Sequence, residues 1–198
     1  MTTEEQIVNA ARKVFVRKGL QGAKMQEIAD EAGINKALLH YYFRSKDKLF
    51  DHIFTEAFQQ IIPSLRQSLN EKADIVVFIQ FFVPFYLNFI QKNPYLPQFI
   101  MHELSQNPER IAGLAHAQNF PFDSLKVLID RAIKEQQIRF VEPENLIINM
   151  LALTIFPFVA RPMIEQIIFK GKQAAYENFM QKRADDIIQT ILTSLRPI

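Results

Sequence analysis

Residues 28–48 read IADEAGINKALLHYYFRSKDK, and this stretch decides the fold. Ile28, Ala29 and Ala32 make one apolar edge of a short helix. Gly33 follows at the position where a left-handed backbone costs least without a Cβ. Ile34 then falls where it can touch Ala29, as in a Schellman ending. Asn35 is a good N-cap for the next helix, Lys36 to Phe43, whose Leu39 and Phe43 share a face at i, i+4. Its other face carries Lys36, Ala37, His40 and Tyr41. Ser45 caps a third helix that begins Lys46-Asp47-Lys48-Leu49. The pattern is a helix-turn-helix running into a long helix.

A DNA major groove, about 12 Å wide, accepts an α-helix and rewards reach and hydrogen-bonding capacity. Small Ala37 permits close approach and can meet a thymine methyl. Lys36 can donate to guanine or phosphate, and His40, Tyr41 and Tyr42 to phosphates or base edges. Lys46 sits at a helix N-terminus, itself suited to a phosphate. Two packed helices with a solvated basic face would show the same spacing. Charge distribution favours the polyanion: residues 1–50 hold nine Lys and Arg against six Asp and Glu, a net of +3. The remaining residues hold 14 against 15, a net of −1.

The first fifty or so residues closely resemble the DNA-binding domain of the TetR family of transcriptional regulators. The matching stretches are AARKVFVRKG and MQEIADEAGINKALLHYYFRSKDKLF. Beyond them the chain matches in length, helical character and the order of its segments. The resemblance implies an all-α protein with an N-terminal three-helix helix-turn-helix domain, residues 1–48. A C-terminal helical bundle for ligand binding and dimerisation follows, residues 49–198. It also implies a DNA-contacting set of Lys24, Gln26, Asn35, Lys36, Ala37, Leu38, His40, Tyr41, Tyr42 and Lys46. Two positions depart from the family pattern. Lys24 stands where an N-cap threonine is common, and Leu38 where a small or polar residue is common.

The first helix starts near Thr3, with Glu4 and Glu5 in its first turn and Gln6 completing a capping box. Ile7, Ala10, Ala11, Val14 and Phe15 form its buried stripe, and Gly19 ends it. Arg12, Lys13, Arg17 and Lys18 lie on or near the other side, mostly as a solvated face. The helix from Lys46 carries Leu49, Phe50, Ile53, Phe54, Ala57 and Ile61, with a kink or break expected at Pro63. His52 and Glu56 are spaced i, i+4 but lack a third metal ligand, so they read as a surface pair.

Asp74 to Asn93 is apolar almost all round. Its run from Ile75 to Ile90 is 16 residues and contains Gln80, Pro84 and Asn88. A membrane span needs about 20 apolar residues, so it reads as a core helix kinked at Pro84. Tyr95 to Gln106 forms a short helix with a polar His102-Glu103 pair read as surface. Asn107 to Asn119 looks like an irregular connection. Phe122 to Gln137 is amphipathic, with a turn at Glu142-Pro143. Asn145 to Phe169 is a second apolar region, broken by Pro157 and Pro162. The last helix runs roughly from Gln173 to Leu195.

Two terminal helices this apolar suggest an intermolecular four-helix bundle, and the family resemblance implies dimerisation through them. The expected interface residues are Ile155, Phe158, Phe179, Ile187, Ile188, Ile191 and Leu192. A dyad would set two reading helices about 34–36 Å apart and specify a palindromic operator in double-stranded DNA. Of 18 Phe, 15 lie beyond residue 50, which suits a small apolar or aromatic effector. Its expected walls are Phe82, Phe85, Tyr86, Met101, His102, Phe156 and Phe158. No Gly-rich phosphate loop, metal spacing or catalytic constellation is visible, so no cofactor, metal or enzymatic step is expected. The chain has no cysteine and no signal-peptide pattern, which fits a cytoplasmic regulator rather than a membrane protein. The competing reading is a helical small-molecule-binding or enzymatic bundle with a structural N-terminal module.

Overall fold

The computed structural model describes residues 1–197. Helices follow one another as α1 (Thr3–Gly22), α2 (Met25–Glu31), α3 (Lys36–Tyr42), α4 (Lys46–Ser68), α5 (Ile75–Lys92) and α6 (Leu96–Gln106). Then come α7 (Pro108–Ala117), α8 (Phe122–Lys134), α9 (Pro143–Val159), the short α10 (Arg161–Met163) and α11 (Gln173–Ser194). A π-helical turn, Ile164–Ile168, joins the last two, and no strand occurs among the described residues. The fold is all-α.

The chain packs as two compact units: residues 1–62 with 95–120, and residues 63–94 with 121–198. In the first, Ile7, Ala10, Ala11, Val14 and Phe15 of α1 are buried against α2, α4 and α6. The centre is aromatic. Phe99 of α6 stacks on Phe50 at 4.4 Å and on Phe54 at 5.0 Å, and meets Phe15 at 5.8 Å. Thus α6 and α7 pack with the N-terminal helices, which local periodicity could not reveal. Glu103, expected on the surface, is 2% exposed. Burial pushes its carboxyl above the usual range, against the opposing pull of Arg110. Arg110 itself spans Asp47 and Asp51, both at 2.8 Å, and lies over the Phe50 ring.

Three local expectations are corrected in this unit. The N-cap of α1 is Thr2, whose Oγ1 accepts from Glu5 N–H while the Glu5 carboxylate accepts from Thr2 N–H. The capping box is therefore one residue earlier than Thr3, because Glu5 at N3 can reach back and Gln6 cannot. Gly19 bends α1 rather than ending it, with φ at +64°. A Cβ there would lie 1.8 Å from His102 Nε2, so the His102 ring would have to move, and the positive φ itself favours glycine. The 107–119 connection is helical: Pro108 sits at N1 and Glu109 in the first turn, both favourable to a helix start.

In the second unit α5 is the central helix and packs on α8, α9 and α11. It has the length and hydropathy of a membrane span. Yet Ile75, Phe78, Ile79, Phe82, Val83, Leu87 and Ile90 are buried by protein. Val77, Gln80, Pro84, Asn88 and Gln91 line the exposed face, so the polar residues that interrupt the run share one side. Pro84 on that face is tolerated without ending the helix, as are Pro63 in α4 and Pro157 in α9. The break after α9 comes at Ala160 instead, before Pro162. Tyr176 of α11 donates to the Pro157 carbonyl at 3.0 Å, fastening α11 to α9.

Candidate nucleic-acid interface

The turn between α2 and α3 has the geometry its residues demand. Gly33 has φ of +67°, Ile34 N–H donates to the Ala29 carbonyl at 3.0 Å, and Gly33 N–H donates to Asp30. Asn35 Oδ1 then accepts from Leu38 N–H at 2.8 Å and caps α3. At the start of α2 the lysine side chain has no acceptor to offer. Only the reciprocal half of a cap survives there, with Lys24 N–H donating to Glu27 Oε2. Lys18 hydrogen-bonds the same carboxylate and holds its pKa below the usual range.

Leu39 of α3 is fully buried and Phe43 nearly so, which fixes how the helix is turned. At roughly 100° per residue, Ala37 and Tyr41 lie opposite Leu39, with Leu38 and Tyr42 on one flank and His40 on the other. Tyr41 is 80% exposed, Tyr42 39% and Leu38 37%. The two tyrosine rings meet edge-to-face at 5.5 Å.

The cations sort into two groups. Lys13 and Arg17 both pair with Glu31, Lys18 with Glu27, and Arg12 with Glu56. Those of α1 therefore brace the domain internally, and Arg17 with Lys13 lowers the Glu31 pKa. Among the described residues, Lys24, Lys36, Arg44 and Lys48 are exposed and in no ion pair with an acid. All four flank or belong to α2 and α3. Lys46, expected to reach a phosphate, donates to the Gln21 and Ala23 carbonyls at the end of α1. It acts first as a clamp between α1 and α4, with a third N–H left over. Gln26 is engaged with Asp30. His52 approaches Glu4 and the Phe43 ring, while Glu56 pairs with Arg12, so the two do not act together.

Residues 7–53 match the family model of bacterial regulatory proteins of the tetR family. Those residues form a TetR-family helix-turn-helix domain. The HTH-type transcriptional regulator RutR of Escherichia coli (strain K12) is 23% identical over 192 residues, covering 96% of this chain and 89% of that protein. The solved TetR-family regulator PfmR from Thermus thermophilus superposes with a TM-score of 0.73 at 17% identity, covering 100% of this chain and 98% of that one. FadR from Bacillus subtilis, solved in complex with stearoyl-CoA, gives 0.70 at 15% identity, covering 97% and 99%. The chain is a DNA-binding transcriptional regulator.

Of the expected contact set, Lys24, Lys36, Ala37, Leu38, Tyr41 and Tyr42 are exposed, and His40 is half-buried. Asn35 faces solvent while its amide is used as the cap. Sequence reasoning passed over Arg44 and Lys48. The signal was available, since both lie beside the motif, but exposure and the lack of an acidic partner are tertiary facts.

The expected effector residues divide between the two units. Phe82, Phe85, Tyr86, Phe156 and Phe158 lie in the second and Met101 and His102 in the first. Phe82 is buried, Phe85 and Tyr86 half-buried, and Phe156 is exposed. Along α5, Phe78, Phe82, Tyr86 and Phe89 stack one turn apart, at 5.8, 5.3 and 6.3 Å. Burial pushes the Tyr86 phenol up to about 12. Among the described residues no group of three His, Asp or Glu is placed to hold a metal. Of the expected dimer residues, Ile187 and Ile191 are fully spent in their own core, because they face α5 and α9 across the unit. Ile155, Phe158, Phe179, Ile188 and Leu192 remain half-buried.

Proposed function

We propose that this regulator is a homodimeric repressor that occupies a palindromic operator in double-stranded DNA and is released by a small apolar or aromatic effector. The observation that carries the reading is the outer face of α3, flanked by cations that no acid among the described residues pairs with. The functional division we infer is residues 1–48 for DNA and 49–198 for effector and partner, acting in the cytoplasm without an enzymatic step.

Dimerisation through α9 and α11 is supported by an apolar surface that the described residues leave partly uncovered. Ile148 is 60% exposed and Phe156 54%, on the side of α9 that also carries half-buried Ile155 and Val159. Half-buried Met180, Ala184, Ile188 and Leu192 recur every fourth residue on α11. For the effector, the aromatic row of α5 offers walls to a flat or extended apolar molecule. An acyl chain is a candidate, since FadR was solved with stearoyl-CoA.

DNA selection at a stated salt concentration tests the reading. Enrichment of a palindrome with half-sites about one helical turn apart is the expected result. A folded protein that enriches no sequence, with or without stearoyl-CoA or aromatic acids present, would refute it. Release further requires unequal effector affinity for the free and operator-bound dimer. Equal affinities would remove the switching mechanism.

A further inference from the structure

The outward face of α3 is short of the groups that give bidentate base contacts. Arg, Lys, Asn and Gln supply most such contacts in the major groove, and of these α3 contains Lys36 alone, at its first position. What it presents instead is Ala37, Leu38 and Tyr41. Leu38 is the third residue of the helix, near the N-terminal end that reaches base edges in helix-turn-helix complexes. Its position is not adjustable: its own N–H is held by the Asn35 cap, and Leu39 beside it is locked in the core. Tyr42 lies one turn on, at i+4, and is itself braced edge-to-face by Tyr41. A single exposed leucine is ordinary on a protein surface. Here it belongs to a contiguous apolar ridge on the one helix of a TetR-family domain that must enter a groove.

The one apolar feature on a major-groove edge is the C5-methyl of thymine. We propose that Leu38, with Ala37 beside it, reads a thymine methyl group in each operator half-site. This rests on the regulator reading above and adds the chemistry of the base that is read. Leu38 excludes water from the methyl by contact, and Lys36, Arg44 and Lys48 hold the backbone in register. Cytosine presents an amino donor and no methyl there, and the leucine leaves that donor without an acceptor.

The test replaces each thymine of the selected operator, one position at a time, by deoxyuridine, which removes the methyl and nothing else. One position per half-site is expected to weaken wild-type binding about fourfold, the worth of one buried methyl, and roughly 15-fold when both half-sites are changed. In Leu38→Ala the thymine-to-uracil ratio at that position falls to near one. Leu38 is partly exposed, so the variant keeps the fold, and an unchanged circular-dichroism melt checks this. An operator indifferent to uracil everywhere, or a ratio that persists in Leu38→Ala, overturns the proposal and leaves the regulator reading intact. Failure of wild type to select any DNA removes the regulator reading, and this proposal with it.

Discussion

Truncating Phe99 to alanine tests the arrangement that most distinguishes this structure from its sequence. Phe99 is 2% exposed and is surrounded by Phe15, Phe50, Phe54 and Tyr95 at ring separations of 4.4 to 6.4 Å. Removing a fully buried phenylalanine costs about 3–5 kcal/mol, with the upper half expected where rigid rings cannot close over the cavity. Four ring contacts vanish together, and each aromatic pair adds about 0.5–1.5 kcal/mol beyond its area. We therefore expect a loss of about 4 kcal/mol in the first unit. With a urea m-value of about 2 kcal/mol per molar, the midpoint falls by about 2 M. The assay is urea unfolding followed by tyrosine fluorescence and circular dichroism, with Tyr95 as a local reporter. DNA affinity should fall in parallel, because Phe15 and Phe50 brace the helices that carry α3. A loss below about 1 kcal/mol would refute the placement of α6 against α1 and α4. So would a midpoint shift confined to signals from the second unit.

Arg44→Ala should reduce the slope of log affinity against log salt by about one unit, and Lys13→Ala should leave it unchanged because Lys13 is paired with Glu31; equal effects in filter binding would contradict the sorting of cations. Tyr86 is neutral in the folded state to about pH 12, whereas the unfolded phenol ionises near 10. Its contribution is thus complete below about pH 10 and lost as pH rises toward 12. Tyr86→Phe should flatten the decline of thermal stability between about pH 9.5 and about pH 11.5, by up to about 2 kcal/mol, and identical profiles would show the phenol to be solvated. Phe156→Glu should convert dimer to monomer in sedimentation without lowering the melting temperature of the monomer, whereas Ile187→Ala should destabilise the monomer by about 2–5 kcal/mol; a Phe156→Glu dimer would move the interface elsewhere.

The amino-acid sequence alone determined the reading head. Gly33 acts through its own backbone, and Asn35 and Ser45 through side-chain oxygens that accept from the N–H three residues on, so the turn, the cap of α3 and the start of α4 follow from local chemistry. Helical periodicity likewise exposed the buried stripe of α1, and the family resemblance implied the all-α class. Only the tertiary structure decided what depends on partners distant in the chain. It drew α6 and α7 onto the N-terminal core through Phe99, and bound Arg110 to acids about sixty residues away. It made Glu103 buried rather than exposed, and gave Lys46 two carbonyls at the end of α1 to hold. It also separated two apolar faces of α11 that share one composition: Ile187 and Ile191 close their own core, while Ile188 and Leu192, one residue further round, stay partly open. Hydrophobicity says that such side chains seek cover, but the cover itself is supplied by whichever surface the rest of the fold brings opposite.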